Sequence, residues 1–145
     1  MRQRGFTILE VLVALVITSI GLIGLVGLTM TSAKNNQSAY QRSQASWMAY
    51  GIIDCMRANR TAAQNGAYNV ALGSTPSGSG IANTDLTVWE QSLSNTFPAG
   101  KGAVTVQSGI ATVTVSWDDS RGLGTLNANG FVGNAAQSVT IESLL

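Results

Sequence analysis

From Phe6 to Ala33 the chain carries a single charged side chain, Glu10, and between Val11 and Leu28 every residue is apolar or glycine apart from Thr18 and Ser19. A run of this length spans a bilayer as a helix, for which about 20 residues suffice. A secretory signal has a shorter apolar region of roughly 7 to 15 residues followed by a small-residue cleavage site. Here the run is too long and no such site follows it. Arg2 and Arg4 precede the run and the first basic residue after it is Lys34. The positive-inside bias therefore puts the amino terminus in the cytoplasm and the bulk of the chain outside. With one long element spent on a membrane, a chain of 145 residues has room for only one small globular head.

Glu10 is the costly residue in this stretch. An acidic side chain at mid-membrane is unfavourable by about 2.5 to 3.5 kcal/mol, and by less near the interface, so something should compensate it. Thr7 and Glu10 fit the Ser/Thr-x-x-Glu capping box ahead of an apolar run, in which each side chain satisfies a backbone N–H of the first turn. Further along, Gly21, Gly24 and Gly27 recur every three residues, near one side of the helix, where they allow close approach of another backbone. Each also weakens the helix by roughly 1 kcal/mol relative to alanine, which makes the three a place for the helix either to pack or to loosen.

Composition removes several classes of chemistry. The chain has no histidine, the commonest general base and metal ligand, so Ser-His-Asp and Cys-His catalysis and most zinc sites are ruled out. No catalytic constellation, metal site or cofactor is assigned, and the chain is read as a non-enzyme. Formal net charge is +1; without Arg2 and Arg4 the rest has six basic against seven acidic residues. That balance lacks the basic footprint of a non-specific nucleic-acid binder. Cys55 is the sole cysteine and cannot form an internal disulfide, so packing must hold the head together.

The segment Arg4-Gly5-Phe6-Thr7-Ile8-Leu9-Glu10-Val11-Leu12-Val13-Ala14-Leu15 resembles the processing signature of type IV prepilins and type II secretion pseudopilins. The resemblance implies cleavage by a prepilin peptidase between Gly5 and Phe6, methylation of the new amino terminus at Phe6, and retention of the apolar helix in the mature protein. It further implies that the Glu10 carboxylate pairs with the ammonium of a neighbouring subunit's Phe6, which supplies the compensation that burial demands. Capping and pairing are compatible, because a carboxylate has two oxygens. The fold it implies is α+β: a long amino-terminal helix, its first half in the membrane, packed on a small antiparallel sheet with a second short helix.

The remainder divides accordingly, with a leader at 1–5, a membrane and assembly helix at 6–30, an amphipathic continuation at 31–65 and a periplasmic head at 66–145. Tyr40, Trp47, Met48, Ile52, Cys55, Met56 and Asn59 recur at helical spacing and predict the core-facing stripe, with a stop at Asn65-Gly66. Gly73 to Gly80 is a loop by composition. Leu86, Trp89, Leu93 and Phe97 predict a second helix over 85–97, closed by Pro98-Ala99-Gly100. Val104 and Val106, a turn at Ser108-Gly109, and Val113, Val115 and Trp117 predict a hairpin. Residues 118–130 read as a loop, and Val139 and Ile141 as a third strand. Asp118, Asp119, Asn127 and Asn129 do not have EF-hand spacing and are assigned to loop chemistry.

Within the pilin family, Ala39-Tyr40-Gln41-Arg42-Ser43-Gln44-Ala45 and Ile52-Ile53-Asp54-Cys55-Met56-Arg57-Ala58-Asn59 resemble the minor-pilin branch called type IV pilus modification protein PilV. Cys55 stands where those relatives often have arginine. The resemblance implies other minor pilins, the major pilin, the inner membrane and a tip adhesin as partners, and a role in starting assembly near the pilus tip. Asp54, Arg57 and Arg60 form either a solvated face or a docking spot. Two alternatives share this amino terminus: a type II secretion pseudopilin, and a DNA-capturing competence pilin, which requires Arg57, Arg60, Lys101 and Arg121 to converge on one face.

Overall fold

The computed structural model describes residues 7–122, 125–127 and 130–145, with side chains except at 125–127, 130–132 and 134. Helix α1 runs unbroken over Ile8–Ala58. Helix α2 is Arg60–Gln64 and α3 is Ile81–Thr96. Five strands follow: β1 Lys101–Gln107, β2 Ile110–Asp119, β3 Thr125–Asn127, β4 Gly130–Val132 and β5 Asn134–Leu144. Strands β1, β2 and β5 form an antiparallel sheet with β2 in the middle, and β3 pairs with β4 as a separate ribbon. The result is the α+β, pilin-like arrangement of a long apolar helix on a small open sheet.

The hairpin is dictated locally. Ser108 and Gly109 both have positive φ, +51° and +80°, the geometry of a turn whose twist matches its strands. From that turn the register fixes Val104 opposite Val113 and Val106 opposite Ala111, so one face of the hairpin is buried throughout. Trp117 closes that face and stacks on Phe97 with ring centroids 5.4 Å apart. Helix α3 contributes Leu86, Trp89 and Leu93, and the Trp89 indole N–H donates to the Met48 carbonyl at 3.0 Å. Each such large side chain contributes about 1.5 to 3 kcal/mol when removed from water.

The core-facing side of α1 differs from the predicted stripe. Ser38, Ala45, Ala49, Ile52, Ile53 and Met56 are buried, whereas Tyr40 and Trp47 are 63% and 77% exposed. Ser38, Ala45 and Ala49 on the buried side are small, and the bulky aromatics Tyr40 and Trp47 lie on the outer side. The helix also ends before Asn65. Asn59 leaves helical geometry with φ −118° and ψ 48°, and its side-chain amide donates to the Tyr68 hydroxyl at 3.4 Å. Helix α2 is the short turn beyond the break. Helix α3 starts four residues earlier than predicted, behind Gly80, which provides no side-chain cap for the sequence to announce. The 118–130 stretch holds the end of β2 and the β3–β4 ribbon rather than only a loop. Three-residue strands are too short to show alternation.

Candidate functional site

Helix α1 begins as the sequence leads one to expect, but with half of the predicted box. Thr7 is extended, and its Oγ1 accepts the Glu10 N–H at 3.3 Å while its carbonyl accepts the N–H groups of Glu10 and Val11. The reciprocal bond from the Thr7 N–H to the Glu10 carboxylate is not made. Among the described residues that carboxylate has no hydrogen bond and no ion pair. Gly5 and Phe6, with Arg2 and Arg4, lie outside the described residues.

The surroundings of Glu10 give this its weight. Large apolar side chains from Ile8 to Met30 are at least half exposed and none of this stretch is buried inside the molecule. Among the described residues α1 is the one helix long and apolar enough to cross a membrane. Its other polar side chains look after themselves. Thr18 donates to the Ala14 carbonyl at 2.8 Å, Ser19 to Leu15 at 2.7 Å, Thr29 to Val26 at 2.8 Å and Thr31 to Gly27 at 3.0 Å. A hydroxyl bonded back onto its own helix can enter hydrocarbon without a further partner. Glu10 is thus the sole polar side chain of Ile8–Thr31 left without one.

Gly21, Gly24 and Gly27 sit in unbroken helix, and a Cβ at any of them would meet nothing within 4 Å. Nothing among the described residues requires them to be glycine.

The membrane-distal residues are dispersed differently from the expectations. Arg57 donates to Asp54 Oδ1 at 2.9 Å and to the Ser143 hydroxyl at 2.8 Å, so it clasps α1 to β5. No periodicity could have announced the Ser143 contact, 86 residues away in sequence. At the other end of the head Ser38 donates to buried Asp119 at 2.8 Å. Nineteen helical residues separate Ser38 from Arg57, a distance of about 28 Å. Arg121, two residues beyond Asp119, is therefore remote from Arg57 and Arg60, and the four basic residues of the DNA-capture alternative do not converge.

Asp118 and Asp119 also diverge. Asp118 is partly exposed and accepts the Ser120 N–H at 2.8 Å, which holds its carboxyl below the usual range, whereas Asp119 is buried against α1. The Asn127 side chain and Asn129 lie outside the described residues. Cys55 is half-buried on the α3 side of α1, and burial, then the Asp85 and Asp54 carboxylates, push its thiol up and keep it protonated.

A family model described as the prokaryotic N-terminal methylation motif matches residues 1–26. The amino terminus is a prepilin-type signal. This signal supports a type IV pilin-like or pseudopilin protein, implies processing by prepilin peptidase, and is consistent, with the apolar helix, with membrane anchoring and association with pilus components. No curated protein and no solved structure matches the chain.

Proposed function

We propose that this chain is a minor type IV pilin, similar to PilV, that helps initiate pilus assembly and is incorporated at or near the tip, in support of twitching motility and adhesion. In this reading the prepilin peptidase cuts between Gly5 and Phe6 and the new amino terminus at Phe6 is methylated. The amino terminus faces the cytoplasm and residues beyond 30 form a periplasmic head until the subunit enters the filament. Its neighbours are other minor pilins, the major pilin and a tip adhesin.

The observation that carries the reading is the unpartnered Glu10 carboxylate in a helix whose every other polar side chain up to Thr31 is satisfied internally. A carboxylate so placed calls for a cation, and in this reading the Phe6 ammonium of a neighbour supplies it. The partner's charge is then compensated in the same contact. Gly21, Gly24 and Gly27, which the monomer does not use, serve helix packing or loosening in the assembly.

The test compares a gene deletion with a Glu10→Ala replacement. Both are expected to lower surface pilus number and twitching, with Glu10→Ala protein still present and processed in the membrane. Unchanged pilus number and twitching in the deletion would refute the assembly role. The prepilin-type signal equally suits a type II secretion pseudopilin, and lost exoprotein secretion with normal pili would assign the chain to that machine.

A further inference from the structure

A cleft of about 390 Å³ lies between α3 and the turn at 73–76. It is in the size range of small-molecule sites. Two groups of opposite charge, Glu90 and Lys101, line it without pairing, for Arg57 with Asp54 is the sole ion pair among the described residues. Glu90 is held by another group, and the Lys101 ammonium has no hydrogen bond among the described residues. Glu90 is half-buried and accepts the Gly102 N–H at 3.2 Å; burial pushes its carboxyl above the usual range, against the effect of that bond. The Lys101 stem lies across the turn at Gly73, where φ is +75° and an added Cβ would meet the lysine Cδ at 3.3 Å.

The hydroxyls around these two groups are also oriented. Thr87 donates its hydrogen to the Asn83 carbonyl at 2.7 Å and Ser94 to the Gln91 carbonyl at 2.9 Å, so both present lone pairs. Ser74 has no such commitment among the described residues. The cleft thus offers acceptors at Glu90, Thr87 and Ser94 and a strong donor at Lys101, with no net charge. Glu90 repels an anion and Lys101 a cation. A zwitterion satisfies the two charges but leaves the hydroxyls idle. A neutral molecule with adjacent hydroxyls uses both kinds of group, because each hydroxyl donates and accepts.

We propose that this cleft binds a neutral saccharide, whose hydroxyls donate to Glu90, Thr87 and Ser94 and accept from Lys101. The site is open and its lining mostly exposed, so affinity is weak, with a Kd on the order of 1 mM. This inference does not rest on the assembly reading, since no residue of the cleft takes part in it.

Saturation-transfer NMR on the full chain in phosphatidylcholine nanodiscs, free of sugar detergents, tests it with methyl glycosides of glucose, galactose, mannose and N-acetylglucosamine, and with oligosaccharides of each. Transfer to at least one sugar is expected above that of empty discs. It should weaken about tenfold in Lys101→Met and in Glu90→Gln, which keeps an acceptor for the Gly102 N–H. Stronger transfer to oligosaccharides assigns the site to a polymer, and equal transfer to a free sugar. Gly73→Ala, which leaves both charges in place, should weaken it by displacing the lysine stem. Circular dichroism checks that each variant is folded. With glycine added as a zwitterionic control, transfer to no sugar, transfer to glycine alone, or transfer unchanged by both charge substitutions would overturn the proposal.

Discussion

The two halves of α1 are one continuous helix that obeys two different sets of demands. Between Ser38 and Met56 its buried residues belong to the core of the head, where α1 packs on β2, β5 and α3 and where Ala45, Ala49 and Ile53 are fully buried. Between Ile8 and Met30 nothing is buried, and among the described residues the glycines meet no neighbour and Glu10 has no partner. The second half of α1 is determined by the head, whereas nothing among the described residues determines the first half. The proposed assembly role uses the half that does least for the fold.

The largest test of the contrast is a paired truncation. Ile53→Ala is expected to cost about 2–5 kcal/mol of head stability, as buried isoleucines do, measured by urea denaturation of the full chain followed by tryptophan fluorescence. Ile17→Ala is expected to stay within about 0.5 kcal/mol of the parent in the same measurement. Comparable losses from both would break the division of α1.

The next effect sharpens where the division falls. Ser38 is the first buried residue of α1 and donates the hydrogen bond that holds the buried Asp119 carboxylate. Ser38→Ala should cost about 1–3 kcal/mol, because it removes a donor from a buried charged acceptor. A neutral result would move the start of the head-determined half further along the helix.

A smaller effect is expected where α1 ends. Tyr68 is fully buried and donates to Asp85 at 2.6 Å, and burial followed by that hydrogen bond pushes its phenol up to about 12. The folded state holds this proton more tightly than the unfolded chain, whose phenols titrate near 10. The contribution is therefore complete below pH 10 and is lost as pH rises through about 12. Tyr68→Phe should cost about 1 kcal/mol at neutral pH and remove one high-pH step from the absorbance titration. Finding that step in the variant would reassign it.

How much of this was legible in the sequence follows the same division. The first half was readable because its constraints are compositional: length, apolarity, one acid and the residues around Gly5-Phe6 need no tertiary information. The hairpin was readable because Ser108-Gly109 and the alternating valines encode it locally. The stripe on α1 was misread at Tyr40 and Trp47, since periodicity reports which residues share a side but not which side the sheet takes. Alanine, weakly apolar, marked the true face too faintly. The Ser38–Asp119 and Arg57–Ser143 bonds join residues 81 and 86 positions apart, and only the fold brings them together. Of the candidate site, the sequence identified Glu10 as costly; that its capping partner leaves the carboxylate free required the geometry.

The proposed assembly role requires cleavage between Gly5 and Phe6 and pairing of the freed amine with Glu10. Intact-mass and amino-terminal peptide spectrometry of the chain from sheared surface filaments, beside the membrane fraction, measures this directly. The expected result is a chain that begins at methylated Phe6 in the filament fraction. A filament-associated chain that retains Arg2 and Arg4, with Phe6 internal and its amine therefore absent, would contradict it.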